Sequence, residues 1–235
     1  MLVSAYIVER GLILEPYEVN SKTNEITALP AFIEQLALKG VVFAFDAIST
    51  QKTVQTIIDS GNDYLGALKG NQSGLLDAVK THFQPQQSAQ QINKGHGRIE
   101  KRAVSITHLL DRIPDFPELQ TLIRVDSERQ VYRANMIEVS TETRYYVASF
   151  SETAQAFANR IRGYWGVENK VHYVRDVTQG EDASRIRTSP LVPTWAVARN
   201  FALNLYRSYG FQNMAQAQRL AGFSLNILKD LFRMK

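Results

Sequence analysis

Residues 40–72 read GVVFAFDAISTQKTVQTIIDSGNDYLGALKGNQ, and this stretch decides the fold class. The run Val41–Phe45 is apolar and β-prone throughout, the pattern of a strand covered on both faces, and Asp46 ends it. A helix is predicted over residues 50–60 and a second buried strand over 63–68. Strand, helix and strand in this order predict an α/β fold that contains parallel strands.

Upstream of this segment, the sequence predicts a hairpin followed by a helix. Two strand-like runs, 1–8 and 12–19, surround a turn in which Gly11 supplies the conformational freedom. Residues 24–38 then repeat apolar side chains at steps of three and four residues, as one face of a helix does. Downstream of the segment, a further helix is predicted over 73–83.

The composition changes at Gln84, where several glutamines mark a polar connection that we expect to be mobile. A turn-rich basic stretch follows at Lys94–Arg98. Helical periodicity resumes over 152–175, and a last long helix is predicted over 193–209. Residues 1–83 and 151–235 are therefore expected to form one α/β region, interrupted by a β-rich insertion at 84–150 with strands at 99–107, 121–126, 131–139 and 144–150.

The bulk composition limits the classes of protein to consider. At 235 residues and 44% hydrophobic content the chain can bury a core. The 27 basic and 23 acidic residues give a net charge of +4 and a pI of about 9.2, a mild preference for an anionic partner such as nucleic acid. The absence of cysteine excludes disulfides and thiolate metal sites. No run of membrane-span length and no secretory signal is present in the sequence, which predicts a cytoplasmic location.

Asp46 is the first candidate for chemistry, because it stands at the carboxyl end of a buried strand, the edge where open α/β sheets hold ligands. A turn or helix cap after the strand is an equally open interpretation of the same residue. Glu168 is the second candidate. On a helix it follows Tyr164 by four residues and Ile161 by seven, so it extends the apolar face and needs a partner there.

Two kinds of partner for Glu168 are compatible with the sequence. Arg162 or Arg175 could form a structural ion pair with it, or a metal ion shared with Asp46 could bind it. The four histidines have no zinc-like spacing, and residues 69–72 lack a complete phosphate loop. Arg185 and Arg187 lie in a loop-like stretch of mixed charge, where a solvated turn and phosphate contacts are both open.

Several short strings resemble the insertion-sequence transposases of the ISAs group, which include the H-repeat-associated proteins. They occur in the family's order along nearly the whole chain. The strings are SKTNEI at 21–26, FDA at 45–47 with QK at 51–52, DY at 63–64 with LKGNQ at 68–72, HGRIE at 96–100, YWGVEN at 164–169 with VHY at 171–173, and ED at 181–182 with RIR at 185–187.

The resemblance implies a fold, an activity and partners. The fold is an RNase H-like mixed sheet with flanking helices and a β-rich insertion before the last catalytic helix. The activity is metal-dependent DNA cleavage and strand transfer in DNA transposition, by an Asp-Asp-Glu triad that binds two Mg²⁺ ions. Asp46 matches the family's second aspartate and Glu168 its glutamate, and both are expected to bind metal. The implied partner is DNA, as insertion-sequence ends and target, with no membrane and no small-molecule substrate; a homo-oligomer is left open.

Two departures from the family pattern matter. The family places Tyr, Arg and Lys around its glutamate, at positions that are Ile161, Tyr164 and Arg175 here, so only Arg175 keeps a charge for phosphate. The family's first aspartate belongs to a central strand that the resemblance places upstream of Leu2. We therefore expect a truncated copy with an incomplete triad, a gap in the sheet and no autonomous activity.

Two other hypotheses come from different classes of protein. A non-catalytic DNA-binding remnant would contact phosphates through the basic side chains Lys94, Arg98, Lys101 and Arg102. An unrelated soluble α/β hydrolase would use its carboxylates only structurally.

Overall fold

The protein is described by a computed structural model that divides the chain into two compact units. One unit consists of Met1–Glu25 and Arg162–Lys235, and the other of Ile26–Ile161. We call them the hairpin unit and the sheet unit. The structure describes residues 2–19, 25–45, 47, 51–95, 97–133, 136–186, 188 and 191–233.

Ten strands and seven α-helices are assigned within these described ranges. The strands are β1 (Leu2–Val3), β2 (Tyr6–Ile7), β3 (Leu12–Ile13), β4 (Tyr17–Glu18), β5 (Val42–Phe45), β6 (Asp63–Leu68), β7 (Gln87–Gly95), β8 (Arg98–Thr107), β9 (Thr121–Arg133) and β10 (Met136–Ala148). The α-helices are α1 (Glu25–Leu36), α2 (Gln51–Asp59), α3 (Ser73–His82), α4 (Ala154–Val167), α5 (Leu191–Ser208), α6 (Met214–Phe223) and α7 (Leu225–Arg233). None of the described helices combines the length and the apolar character needed to cross a bilayer.

The sheet unit is built on one six-stranded sheet in the order β5-β6-β10-β9-β8-β7. Only β5 and β6 are parallel, and every other neighbouring pair is antiparallel. The predicted mixed α/β sheet with flanking helices is confirmed. The assignment of 84–150 to a separate insertion and the gap left by a central strand stay predictions, because the strands of that region join the same sheet as β5 and β6.

One face of this sheet forms the main core with α2 and α3. Val54 and Ile57 of α2 and Leu75 and Val79 of α3 are buried against the sheet, together with Tyr64, Leu122 and Val147 from its strands. Burial of each such side chain contributes about 1.5–3 kcal/mol. The Tyr64 hydroxyl donates to the carbonyl oxygen of Pro117 at 2.7 Å, so the polar end of this buried ring is satisfied.

The buried side chain of Asn62 joins the beginnings of the two parallel strands. Its Oδ1 accepts a hydrogen bond from the Val41 amide at 3.1 Å, and its Nδ2 donates to the Leu38 carbonyl at 2.8 Å and to the Ser60 hydroxyl at 2.9 Å. Gly40 and Gly61 both have positive φ, and the Gly40 amide donates to the Gly61 carbonyl at 3.0 Å. Asn62, on the approach to β6, therefore satisfies two backbone groups on the approach to β5.

The strands predicted from residue 121 onward were wrong in their number and in the position of their turn. Residues 121–126 and 131–139 were expected as separate strands, but β9 and β10 each run for 13 residues and are joined between Arg133 and Met136. The polar stretches that suggested turns pair with each other, as Ser127 does with Glu142. The outer half of β10 is exposed and that of β9 is mostly only partly buried, so the apolar alternation that marks a half-buried strand is missing there.

The mobile connection predicted from Gln84 was also wrong over most of its length. Residues 87–95 form β7, the edge strand, which pairs with β8 along its whole length. Its glutamines are compatible with an edge position, where backbone hydrogen bonds to one neighbour suffice and the side chains meet water. The predicted turn before β8 is confirmed by Gly97, whose φ is +68°, and His96 lies outside the described residues.

The hairpin unit confirms the first predicted supersecondary element. β2 pairs with β3 and β1 with β4, both antiparallel, and Gly11 has a φ of +65° in the turn. The side chain of Asn204 connects α5 to this hairpin through two hydrogen bonds. Its Oδ1 accepts from the Ile13 amide at 2.9 Å, and its Nδ2 donates to the Ile13 carbonyl at 2.7 Å. The helix expected to be the last is followed by α6 and α7, which the sequence analysis missed.

We predict that Asn62→Ala destabilises the protein by about 2–4 kcal/mol, because it leaves the Val41 amide and the Leu38 carbonyl without their partner. Urea denaturation followed by tryptophan fluorescence and by far-UV circular dichroism measures this loss. The matched control is Asn226→Ala on the exposed surface of α7, which we expect to change stability by less than about 0.5 kcal/mol. Equal effects of the two substitutions would contradict the role given to Asn62.

Candidate functional site

The carboxyl ends of β5 and β6 meet at one edge of the sheet unit. The two strands are parallel, and Phe45 at the end of β5 is in register with Gly66 of β6. The chain leaves β5 directly into Asp46, which itself lies outside the described residues. It leaves β6 at Leu68 into a tight turn, where the Gln72 amide donates to the Lys69 carbonyl at 3.0 Å. The predicted position of Asp46 at a strand end therefore belongs to the edge that also carries the turn 69–72.

A cavity of about 310 Å³ opens at this edge. Its walls come from the first residue of α2, Gln51, from the turn and first residues of α3, and from the loop Pro114–Phe116. The lining is mostly polar, with the amides of Asn71 and Gln72 and the carboxylate of Asp115. Space and oxygen-bearing groups are thus present where the parallel strands end, as expected for the ligand-binding edge of such a sheet.

Glu168 stands in the hairpin unit at the point where the helix changes type. α4 ends at Val167, residues Glu168–His172 follow as a π-helical turn, and a second π-helical turn covers Val174–Thr178. The side chain of Glu168 is outside the described set, but Val171 and Val174 beyond it are buried. The α-helical spacing used to predict the orientation of Glu168 holds as far as Val167 and not beyond. Single π-helical turns are rare and are found frequently at functional sites.

Arg175 forms a bidentate ion pair with Glu181 and is largely shielded from solvent. Its Nε and Nη2 each donate to a carboxylate oxygen of Glu181 at 2.6 Å, and the side chains of the two residues are only 13% and 25% exposed. Gly180, with a φ of +62°, lets the chain turn back so that Glu181 reaches the arginine. Contact between Arg175 and a DNA phosphate stays a prediction, and such a contact would compete with this pair.

Further carboxylates lie beside the ion pair. Burial, and then the neighbouring Asp182 and Glu181, raise the pKa of Asp176, while Arg175 and His172 act in the opposite direction. The sequence indicates only that residues 178–187 are mixed in charge. Among the residues that the structure describes, no three His, Asp or Glu side chains are grouped so that they could hold a metal ion.

The other basic residues predicted to contact DNA are divided between the two units. Arg98, in the sheet unit, pairs with Glu100 at 3.3 Å and is 44% exposed. Arg102 also pairs with Glu100, and Lys101 pairs with Glu128, each at 3.1 Å. Arg185, in the hairpin unit, is exposed, and Arg187 is outside the described residues. The DNA contacts of all these side chains stay predictions, and the pairing on β8 partly neutralises the basic face that the sequence suggested.

Comparison with known proteins identifies relatives over most of the chain. The family model described as "Transposase DDE domain" matches residues 5–205. The "H repeat-associated putative transposase YhhI" of Escherichia coli K12 is 32% identical over 216 residues, which cover 87% of this chain and 57% of that protein. The "Putative transposase YncI" of Escherichia coli O157:H7 is 34% identical over 220 residues, covering 88% and 56%. The chain thus spans little more than half the length of these relatives.

We predict that Glu181→Ala destabilises the protein by about 1.5–3 kcal/mol, because it removes both hydrogen bonds to the largely buried Arg175 guanidinium. The matched control is Glu142→Ala, whose partner Arg144 is also 2.6 Å away but lies with it on an exposed stretch of β10. That pair should contribute about 0–1 kcal/mol. Thermal and urea unfolding of both variants measure the difference, and a control loss as large as that of Glu181→Ala would contradict the prediction.

Proposed function

The chain belongs to the transposase DDE domain family, and from that premise we propose that it carries two catalytic carboxylates of a DNA transposase, Asp46 and Glu168. The reaction is phosphodiester cleavage followed by strand transfer, and its substrates are the ends of an insertion sequence and a target DNA. The observation that supports this most directly is the parallel pair β5–β6, whose carboxyl ends coincide where the chain enters Asp46. The family match over residues 5–205 includes both carboxylates.

The donor chemistry fits a divalent metal such as Mg²⁺. Asp46 and Glu168 offer hard carboxylate oxygens, which Mg²⁺ prefers, and the chain has no cysteine to favour softer ions. Asp46 and Glu168 would hold such ions, and the chemistry that the ions would supply is activation of the attacking water or 3′-hydroxyl and stabilisation of the leaving oxygen. The role of the protein is to fix the carboxylates on regular secondary structure, Asp46 directly after a strand and Glu168 directly after α4.

We propose further that these 235 residues alone do not cleave DNA. The resemblance assigns two of the triad's three carboxylates to this sequence, and a two-ion site needs its full set of ligands. The match covers 57% of YhhI. Transposition by a longer protein that contains this chain is therefore also a proposal. An assembly of several copies and a cytoplasmic location are compatible with this function and stay predictions.

The alternative is a DNA-binding remnant without catalysis. It would rely on exposed cations such as Arg98 and Lys101 contacting phosphates. Because those cations are paired with carboxylates on their own sheet, we favour the catalytic proposal. The two proposals differ in the role of Glu168. In a non-catalytic remnant, substitution of Glu168 would change neither DNA cleavage nor DNA binding.

A plasmid-nicking assay with Mg²⁺ tests the proposal. It compares the chain, the chain extended upstream by the strand that carries the family's first aspartate, and the Glu168→Gln and Asp46→Asn variants of the extended form. We expect nicking only by the extended chain. Substitution of a residue that only supports a metal ligand typically costs roughly 10–100-fold in activity. Because Asp46 and Glu168 are proposed as ligands themselves, each substitution should reduce the nicking rate by more than this.

The control is Glu34→Gln on the exposed face of α1, which should leave nicking unchanged. Nicking by the unextended chain that vanishes with Glu168→Gln would disprove the proposed inactivity while supporting the role of Glu168. Salt-dependent DNA binding with no nicking by any form would favour the remnant.

A further inference from the structure

A large cleft in the hairpin unit is not used by the proposed chemistry. Its volume is about 1180 Å³, above the roughly 300–1,000 Å³ of ordinary small-molecule pockets. Three segments of the hairpin unit contribute to its lining: residues 6–11 of the hairpin, residues 169–178 of the π-helical stretch, and residues 207–223, which run from the end of α5 through α6. Asn169 and Lys170, the two residues that follow Glu168, are among the lining side chains.

The floor of the cleft is fixed by Arg207. Its Nη1 donates to the Gly11 carbonyl at 3.2 Å and its Nη2 to the carbonyl of Lys170, so one side chain joins α5 to the hairpin and to the π-helical stretch. The guanidinium carbon also lies 5.6 Å from the centre of the Tyr6 ring. The walls of the cleft are therefore connected through one half-buried cation, Arg207.

The charges on the walls favour an anionic occupant. Arg10, Lys170 and Arg219 are exposed and line the cleft with Arg207. Glu9 is the one acidic side chain among the described lining residues. Within the described part of the chain, none of the three exposed cations forms an ion pair. The cleft thus offers an excess of positive charge that no ion pair between described residues neutralises.

Aromatic rings at the same cleft distinguish a nucleic acid from a simple anion. Phe223 is 92% exposed and Tyr173 is 57% exposed, although burial of such rings is normally favourable. Exposed rings and cations that line one cleft suit unpaired bases, which stack on the rings while the cations contact phosphates. The bases of a duplex already stack on each other, so their faces are not available to these rings.

We propose that this cleft binds an unpaired DNA strand next to the catalytic glutamate, with bases stacked on Tyr173 and Phe223 and phosphates on Arg10, Lys170 and Arg219. The choice of DNA as the nucleic acid rests on the proposed function. The cleft would hold the strand that is separated from its complement during cleavage or transfer. Sequence preference is not needed, because stacking on aromatic rings tolerates every base.

Fluorescence anisotropy with a labelled oligothymidine of about 12 nucleotides, in EDTA, tests the proposal without any need for cleavage. The chain should bind this strand at least tenfold more tightly than a duplex of the same length. Tyr173→Ala and Phe223→Ala should each weaken binding by about tenfold. Arg219→Glu should weaken it and reduce the dependence of affinity on salt by about 0.7 in log–log slope.

The matched controls are Phe232→Ala and Lys229→Glu on α7, which are exposed but do not line the cleft. They should leave the affinity unchanged. Because Phe223 and Arg219 are exposed, their substitution is not expected to unfold the protein, and circular dichroism verifies this.

Three results would overturn the proposal: equal affinity for strand and duplex, equal loss in cleft and control variants, or displacement of the strand by an acidic peptide as effective as unlabelled oligothymidine. The last would identify an acidic protein segment as the occupant. Plasmid nicking combined with cleft-independent strand binding would refute this inference and leave the proposed function standing. Strand binding lost only in the cleft variants, in a chain that never nicks, would support the cleft although the proposed chemistry fails.

Discussion

The hydrogen bonds of one buried asparagine, Asn62, hold the sheet unit in the arrangement on which its candidate site depends. Two parallel strands cannot be joined by a tight turn, and here the connection from β5 to β6 passes through α2. Asn62 links the beginnings of the two strands, since its amide bonds to Val41, Leu38 and Ser60. With the beginnings aligned, the register places Phe45 beside Gly66. The step from Phe45 into Asp46 then falls at the edge where the turn 69–72 also begins.

Where burial dictates the pattern, the sequence predicted the fold well. Val41–Phe45 and Asp63–Leu68 were predicted as strands, and β5 and β6 lie there with their ends shifted by at most one residue. β6 is almost entirely buried, whereas β5, at the end of the described sheet, is only partly buried and not covered on both faces as expected. The prediction failed for strands that escape burial. The outer half of β10 is exposed, and β7 is an edge strand rich in glutamine. Both are stabilised mainly by backbone hydrogen bonds to a neighbouring strand. The side-chain pattern of a sequence does not show which strand that neighbour will be.

The candidate site shows the same division between local and long-range information. The position of Asp46 after a strand follows from a pattern of six residues. The neutralisation of Arg175 does not, because it depends on a positive-φ glycine that brings Glu181 back along the chain. The change to π-helical geometry at Glu168 was also outside the reach of α-helical periodicity. The cleft in the hairpin unit could not be predicted from the sequence, because its walls come from three distant segments, residues 6–11, 169–178 and 207–223.

We propose that the edge of the sheet at which β5 leads into Asp46 binds a divalent metal ion. Paramagnetic broadening of amide NMR signals by Mn²⁺, a stand-in for Mg²⁺, locates such a site in the chain as it is, without requiring catalysis. We expect selective broadening at Lys69–Asn71, beside the end of β5, that disappears in Asp46→Asn. Broadening confined to the acidic stretch Asp176–Asp182, unchanged by Asp46→Asn, would show that the metal binds there and not at this edge.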